Sequence, residues 1–207
     1  MPARRGVASL VARPLILMFM LVASLLFGVQ TAGAVSLDQV TGGQSALFVP
    51  LSNVQHLGQK GIFVSPISPA FLTFTLQEGP AVRFPITGGA VESSTMIGTV
   101  NHAGGLSIQK FNPDGTKAAQ LDVTDVKIVA GSQLVGNALG LVPAPTADLV
   151  NAKWSKNATT GVITYDADAQ LNLITATVLN TYFSTDAFFP GQILGHLKST
   201  IQTSSIL

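Results

Sequence analysis

The sequence predicts a mainly β protein: an antiparallel β-sandwich or barrel-like domain with one or two short helices. From Gly61 onward, short β-branched and aromatic runs are separated by Gly, Pro, Asn and Asp. Turn signals at intervals of roughly 8 to 12 residues are typical of a sheet-rich sandwich or barrel. The chain contains no cysteine, so core packing rather than disulfide bonds must hold the domain together.

Residues 1–34 have the order of a secretory signal peptide. Three arginines precede the apolar block 15–27, which leads to Ala32-Gly33-Ala34. A basic head, a short apolar middle and a small-residue exit predict cleavage. A permanent span needs about 20 apolar residues. We therefore expect no stable membrane span after cleavage and a secreted mature chain, residues 35–207.

The length and charge of the mature chain limit its class. Residues 35–207 are enough for a single domain, but too few to favour two domains that each have a substantial hydrophobic core. Three of the eleven Lys and Arg residues lie in the leader, whereas all ten acids follow it. The remaining basic residues are scattered, so the chain lacks the basic patch on which nucleic-acid binding depends. We therefore predict no nucleic-acid partner.

The surface is expected to be polar but weakly charged. Only 10% of the residues are charged, against about 25% in ordinary domains. This composition fits a compact secreted β-protein. It also fits a surface built for low-specificity contact with cell-wall or extracellular polymers.

The first predicted element is a short helix. One apolar stripe at steps of four, three and three favours a helix and consists of Leu47, Leu51, Val54 and Leu57. Ser45 is the candidate cap, but Pro50 lies inside the pattern, so either Pro50 occupies the first turn or the helix starts later than Ser45. The later start is favoured. The residues before the helix, through Gly42-Gly43, are expected to be loosely ordered.

The strands predicted after the helix are residues 62–64, 71–76, 81–86, 96–100, 106–111, 133–142, 161–173 and 192–202. Asn112-Pro113-Asp114-Gly115 predicts a hairpin, because Pro presets one φ and Gly accepts a positive φ. Between Leu121 and Ile128 the apolar phase slips by one residue near Thr124-Asp125, which predicts a β-bulge. Residues 174–183 favour a second helix, and residues 147–154 are ambiguous.

His102 is the histidine with the most ligand-like sequence context. It follows a predicted strand and precedes Gly104-Gly105. Because glycine permits close backbone approach, an imidazole here suits a planar ligand. The alternative is a hydrogen-bonded turn histidine. His56 and His196 have no carboxylate or histidine at metal-ligand spacing and are predicted to be structural.

Neither a metal site nor catalysis is predicted. Asp166-Ala167-Asp168 resembles the start of a calcium loop, but no glycine or glutamate follows at the required positions. The motifs G-x-S-x-G and H-E-x-x-H are absent, and the acids do not form a catalytic pair. We therefore predict that the protein is not an enzyme. Tyr165 and Tyr182 are expected in the core, although a phenolate is able to bind iron.

Several phrases occur together along the mature chain, in the following order: residues 61–70 (GIFVSPISPA), 84–91 (FPITGGAV), 98–106 (GTVNHAGGL), 178–183 (VLNTYF) and 189–195 (FPGQILG). Together they resemble a group of secreted actinobacterial proteins related to the HtaA domain. The resemblance implies a single β-rich extracellular or wall-associated domain over residues 35–207. In the haem-uptake members it implies a haem bound through a tyrosine that a histidine supports.

The resemblance gives the histidine a counterpart at His102. The tyrosine of the family lies in the opening segment of the domain, where this chain has Leu47-Phe48-Val49-Pro50-Leu51 and no tyrosine. The leading prediction is therefore a secreted, non-enzymatic module without a cofactor, associated with the cell envelope, that binds a cell-wall or extracellular component or has a structural role. The alternative is a haem-binding protein that uses His102 with Tyr165 or Tyr182. The oligomeric state stays open.

Overall fold

The computed structural model describes residues 36–138 and 144–204. The predicted leader, residues 1–34, lies outside the described residues, and so does the end of the predicted strand 133–142. Within the described ranges the chain forms eleven strands and two helices.

The strands are β1 (Asp38–Phe48), β2 (Ile62–Ile67), β3 (Phe71–Thr75), β4 (Gly79–Glu92), β5 (Ile97–His102), β6 (Gly105–Phe111), β7 (Lys117–Val129), β8 (Gln133–Ala138), β9 (Ala144–Lys156), β10 (Ile163–Gln170) and β11 (Ile193–Ser204). The helices are α1 (Leu51–Gln59) and α2 (Leu173–Phe183). Among the described helices, none has the length and apolar character needed to cross a membrane.

Eight of the strands close into an antiparallel barrel. Their order is β7-β5-β4-β1-β11-β10-β9-β8, and β8 pairs again with β7. Closure removes free strand edges from the barrel. The side chains of β10 alternate regularly, so that Ile163, Tyr165, Ala167 and Ala169 are buried inside. The predicted mainly β fold is confirmed, and its architecture is the barrel rather than the sandwich.

Strands β5 and β6 lie end to end along one edge of β7. Strand β5 pairs with residues 127–129 of β7, and β6 pairs with residues 117–124. The junction between them contains His102, which places this side chain where two strands meet a third. In the described residues, β2 extends the sheet beyond β6 and β3 pairs with β4.

The predictions for the opening residues were partly wrong. Residues 38–48 form strand β1, so Ser45 is a strand residue and not a helix cap. Gly42 and Gly43 were predicted to be loosely ordered, but both are residues of β1 and pair with β11. They lie beside a shift in the β1–β11 register. Helix α1 begins at Leu51 after Pro50, which confirms the later start.

The turn and bulge predictions are confirmed. Strands β6 and β7 form a hairpin around Asn112–Gly115. The β7–β8 pairing shifts between Thr124 and Lys127, and Asp125 has a φ of 51°. The second helix also forms, with the Asn172 side chain accepting a hydrogen bond from the Thr175 N–H at its start. The ambiguous residues 147–154 belong to strand β9.

Gly43 is required by the close approach of β1 to β11. A Cβ at this position would lie 2.0 Å from the Thr200 carbonyl oxygen, and the Gly43 φ of +121° disfavours other residues. A Cβ at Gly58 in α1 would meet no neighbouring atom within 4 Å, and Gly58 does not have a φ of this kind. We expect Gly43→Ala to lower the free energy of unfolding by at least about 2 kcal/mol.

The matched variant Gly58→Ala should raise the free energy of unfolding by about 0.5–1 kcal/mol, because alanine loses less backbone entropy in a helix. Urea denaturation of both variants measures the difference. Equal stability of the two variants would show that β1 does not approach β11 as described.

Candidate binding cavity

A cavity of about 250 Å³ lies between the barrel strands and helix α2. Leu47, Phe84 and Leu197 line it from the barrel, and Ile174 and Val178 line it from α2. Eight strands enclose an interior that side chains just fill, or that accommodates one small ligand. The cavity is therefore the natural candidate for a binding site.

Small side chains on the barrel wall leave this space open. Ala147 of β9 and Ala169 of β10 are buried and line the cavity. Their neighbours on the same inward-facing rows, Leu149 and Ala167, are buried as well. A larger residue at either alanine would project into the cavity, so its volume depends on these two positions.

Of the described side chains that line the cavity, three are polar: His102, Thr146 and Thr175. Both threonine hydroxyls already have protein partners. Thr146 Oγ1 donates to the Leu134 carbonyl at 3.1 Å, and Thr175 Oγ1 donates to the Pro145 carbonyl at 3.1 Å. Neither hydroxyl therefore has its proton available for a ligand.

The hydrogen bonds of His102 determine its tautomer. Nδ1 lies 3.1 Å from the Val126 carbonyl oxygen, which only accepts, so Nδ1 carries the proton. Nε2 of the neutral ring then accepts from the Ser45 hydroxyl at 2.7 Å. Ser45 Oγ in turn accepts from the Ser199 hydroxyl at 2.7 Å. Both ring nitrogens are therefore committed to the protein.

Burial also keeps this imidazole neutral. Desolvation lowers the pKa of His102 to about 4, outweighing the hydrogen bond to the Val126 carbonyl, which raises it. The Phe84 ring meets the imidazole edge-on, at 6.3 Å between centroids. At neutral pH the cavity thus contains an uncharged imidazole and no net charge from this residue.

The two tyrosines proposed as partners of His102 lie away from the cavity lining. The Tyr165 hydroxyl donates to the Gly131 carbonyl at 2.7 Å, and burial raises the pKa of this phenol to about 12. The Tyr182 hydroxyl donates to the Gln120 carbonyl at 2.6 Å. Of the three predicted site residues, only His102 lines the cavity.

A second polar cluster, missed by the sequence analysis, lies on the outer face of the barrel. His196 Nδ1 is 2.9 Å from Asp168 and Nε2 is 3.0 Å from Asp166. The cluster forms because β10 and β11 pair with Asp168 opposite His196. In the sequence both aspartates are far from His196, so the spacing of residues along the chain does not predict the contact. Among the described side chains, no group of three His, Asp or Glu residues is arranged to hold a metal.

Hydrogen bonding sets the protonation of this outer cluster. Desolvation lowers the pKa of His196, but the hydrogen bonds to Asp168 and Asp166 outweigh it and raise the pKa overall. The hydrogen bonds from Asn151 and His196 lower the pKa of Asp168. The cluster therefore favours an imidazolium between two carboxylates, on a surface where water screens the interaction.

The buried His102 should make the protein lose stability in acid. Unfolded His102 binds a proton near its ordinary pKa of 6.5, whereas the folded side chain does so only at about 4. Between these two pKa values the unfolded state therefore binds more protons than the folded state. The free energy of unfolding decreases as the pH is lowered. Between pH 7 and 4.5 we expect a loss on the order of 2 to 3 kcal/mol. Urea denaturation across this range should show a flatter slope for His102→Gln.

His196 should have the opposite pH dependence. A raised pKa means that its stabilisation is complete below the unfolded pKa and is lost as pH rises through the folded pKa. We expect His196→Gln to cost about 0.2–1 kcal/mol at pH 5.5 and less at pH 8. The same denaturation series measures it, and an equal cost at both pH values would contradict the ion-pair assignment.

Comparison with known proteins shows the fold that this chain shares. No protein-family model matches the sequence, and no curated protein matches it. The structure is similar to the C-terminal domain of HtaA from Corynebacterium glutamicum, with a TM-score of 0.58 and 15% identity over 81% of this chain and 99% of that one.

Two further structures from Corynebacterium glutamicum are similar. The haem-binding protein HtaB has a TM-score of 0.56 and 12% identity, over 82% of this chain and 96% of that one. The N-terminal domain of HtaA has a TM-score of 0.52 and 16% identity, over 80% of this chain and 99% of that one. The chain therefore has an HtaA-like fold.

Proposed function

We propose that this chain is an exported, non-enzymatic binding module of the cell envelope, which holds a ligand and does not transform it. The observation that carries the proposal is the hydrogen-bonded chain Ser199–Ser45–His102–Val126, which uses both imidazole nitrogens for structure. The cavity that His102 lines has room for a ligand. The likeness to the haem-binding protein HtaB supports a binding role on the same fold.

The state of His102 argues against acid–base chemistry at the cavity. A general base works best with a pKa near the operating pH and a nitrogen within reach of the substrate. His102 has a pKa of about 4, and Ser45 occupies Nε2. The two threonine hydroxyls donate to carbonyls, so no base activates them as nucleophiles. Binding is the activity that these groups support.

Residues 1–34 and the weakly charged composition support export and contact with envelope polymers. In a secreting bacterial host we expect the recovered protein to begin at Val35. Intact-mass measurement of envelope and medium fractions tests this. Replacing the small residue before the cleavage point, in Ala34→Phe, should leave the leader attached, whereas Ala46→Gly in strand β1 should be processed normally. Full-length wild-type protein confined to the cytoplasm would contradict export.

Haem binding is the second candidate function, favoured by the likeness to HtaB. It would use His102 with Tyr165 or Tyr182. Ligation by Tyr165 requires its hydroxyl to leave the Gly131 carbonyl and to lose a proton against a pKa raised to about 12. Ligation by Tyr182 requires the loss of its bond to the Gln120 carbonyl. The leading proposal requires neither change.

A haemin titration separates the two candidates. The leading proposal predicts that the purified mature chain leaves the spectrum of free haemin unchanged, because no phenolate or free imidazole nitrogen is available at the cavity. Haem binding predicts a saturable Soret shift that His102→Gln and one of Tyr165→Phe or Tyr182→Phe abolish. His56→Gln is the control, since His56 contacts the Ala187 carbonyl instead. Circular dichroism verifies that each variant is folded.

A further inference from the structure

We propose that the cavity between the barrel and α2 binds an uncharged hydrocarbon group, such as an acyl chain, and this assignment rests on the proposed binding function. It gives a chemical class to a ligand that the fold alone does not specify. Three features carry it: the size of the cavity, the chemistry of its wall and the position of its mouth.

The cavity is too large to be a packing defect. Protein interiors are packed as densely as organic crystals, and voids larger than a water molecule are few. An apolar cavity of about 150 Å³ stays dry and accepts benzene, whereas this one measures about 250 Å³. Burying a hydrocarbon here would gain roughly 25 cal/mol for each Å² of apolar surface removed from water.

The wall offers a ligand almost nothing but carbon. Among the residues that the structure describes, the cavity lining is hydrocarbon except for His102, Thr146 and Thr175, and the protons of these three groups already bind protein acceptors. A polar ligand would find no free donor among them and would replace few of its hydrogen bonds to water, at about 1–3 kcal/mol for each group left unpaired. The wall therefore selects against sugars, peptides and charged metabolites.

The edge of the cavity at α2 exposes aliphatic side chains. Ile174 lines the cavity and is 76% exposed, and Val178 lines it one helical turn later and is 46% exposed. Leu173 beside them is also exposed. A hydrocarbon chain entering past this edge of α2 stays in contact with aliphatic side chains, while a polar head group attached to it stays in water.

The test uses N-phenyl-1-naphthylamine, a neutral fluorescent probe, with decan-1-ol as an aliphatic competitor. We expect saturable fluorescence enhancement with one site per chain, and displacement by decan-1-ol but not by glucose. Decanoate distinguishes a free fatty acid from an uncharged chain as the ligand. Displacement of the probe by decanoate as well as decan-1-ol shows that a free fatty acid fits. Displacement by decan-1-ol alone shows that an uncharged chain is required. Either result supports the hydrocarbon assignment.

Two valines provide a matched pair of variants. Val178 and Val54 are both 46% exposed on a helix, but only Val178 lines the cavity. Val178→Asp puts a carboxylate at the mouth and should weaken probe binding at least tenfold, whereas Val54→Asp should leave it unchanged. Ala147→Leu fills the cavity from strand β9 and should also abolish binding, provided that circular dichroism shows a folded protein.

The proposal is overturned if the folded wild-type chain shows no saturable binding of probe and competitor, or if Val178→Asp binds as tightly as Val54→Asp. The proposed module function fails on other results, namely a haemin Soret shift that depends on His102 or a cytoplasmic protein with its leader intact. The two failures are therefore distinguishable.

Discussion

The hydrogen-bonded chain from Ser199 through Ser45 and His102 to the Val126 carbonyl is the interaction on which the barrel interior depends. Its members come from β11, β1, β5 and β7, so it connects strands that are distant in sequence. All three side chains are buried. Removing one member would leave a buried partner without its hydrogen bond, at about 1–3 kcal/mol. The chain therefore fixes both the strand arrangement and the side chain at the cavity wall.

The same hydrogen bonds make an apolar cavity possible. A charged imidazolium at the wall would require a counterion or water, and the surrounding hydrocarbon supplies neither. His102 stays neutral because its pKa is about 4, and its two nitrogens are satisfied within the protein. His196 shows the opposite outcome on the barrel exterior, where Asp166 and Asp168 raise its pKa. Position in the barrel, rather than residue type, determines what each histidine does.

Local sequence signals predicted the elements that local physics determines. The turn at Asn112–Gly115, the bulge at Thr124-Asp125 and the capped second helix follow from residues close together in the chain. Strand β1 was not predicted, because Leu47 lies on the apolar stripe of the predicted helix and Gly42-Gly43 indicates a loosely ordered segment. The contacts of Ser45 were also beyond reach, since its partners lie 57 and 154 residues away. Only the strand register reveals them, as it reveals the His196 cluster.

We propose that the hydrogen-bond partner of His102 Nε2 determines how this chain uses the fold. The resemblance implies a ligand tyrosine in the opening segment, and in this chain the opening-strand residue that contacts His102 is Ser45. A serine hydroxyl reaches the imidazole but extends no further, and Ser199 already donates to it. In this structure both ring nitrogens of His102 therefore bond to the barrel itself. Under our proposal, the hydrocarbon lining of the adjacent cavity then suits an apolar chain better than a metal-centred macrocycle.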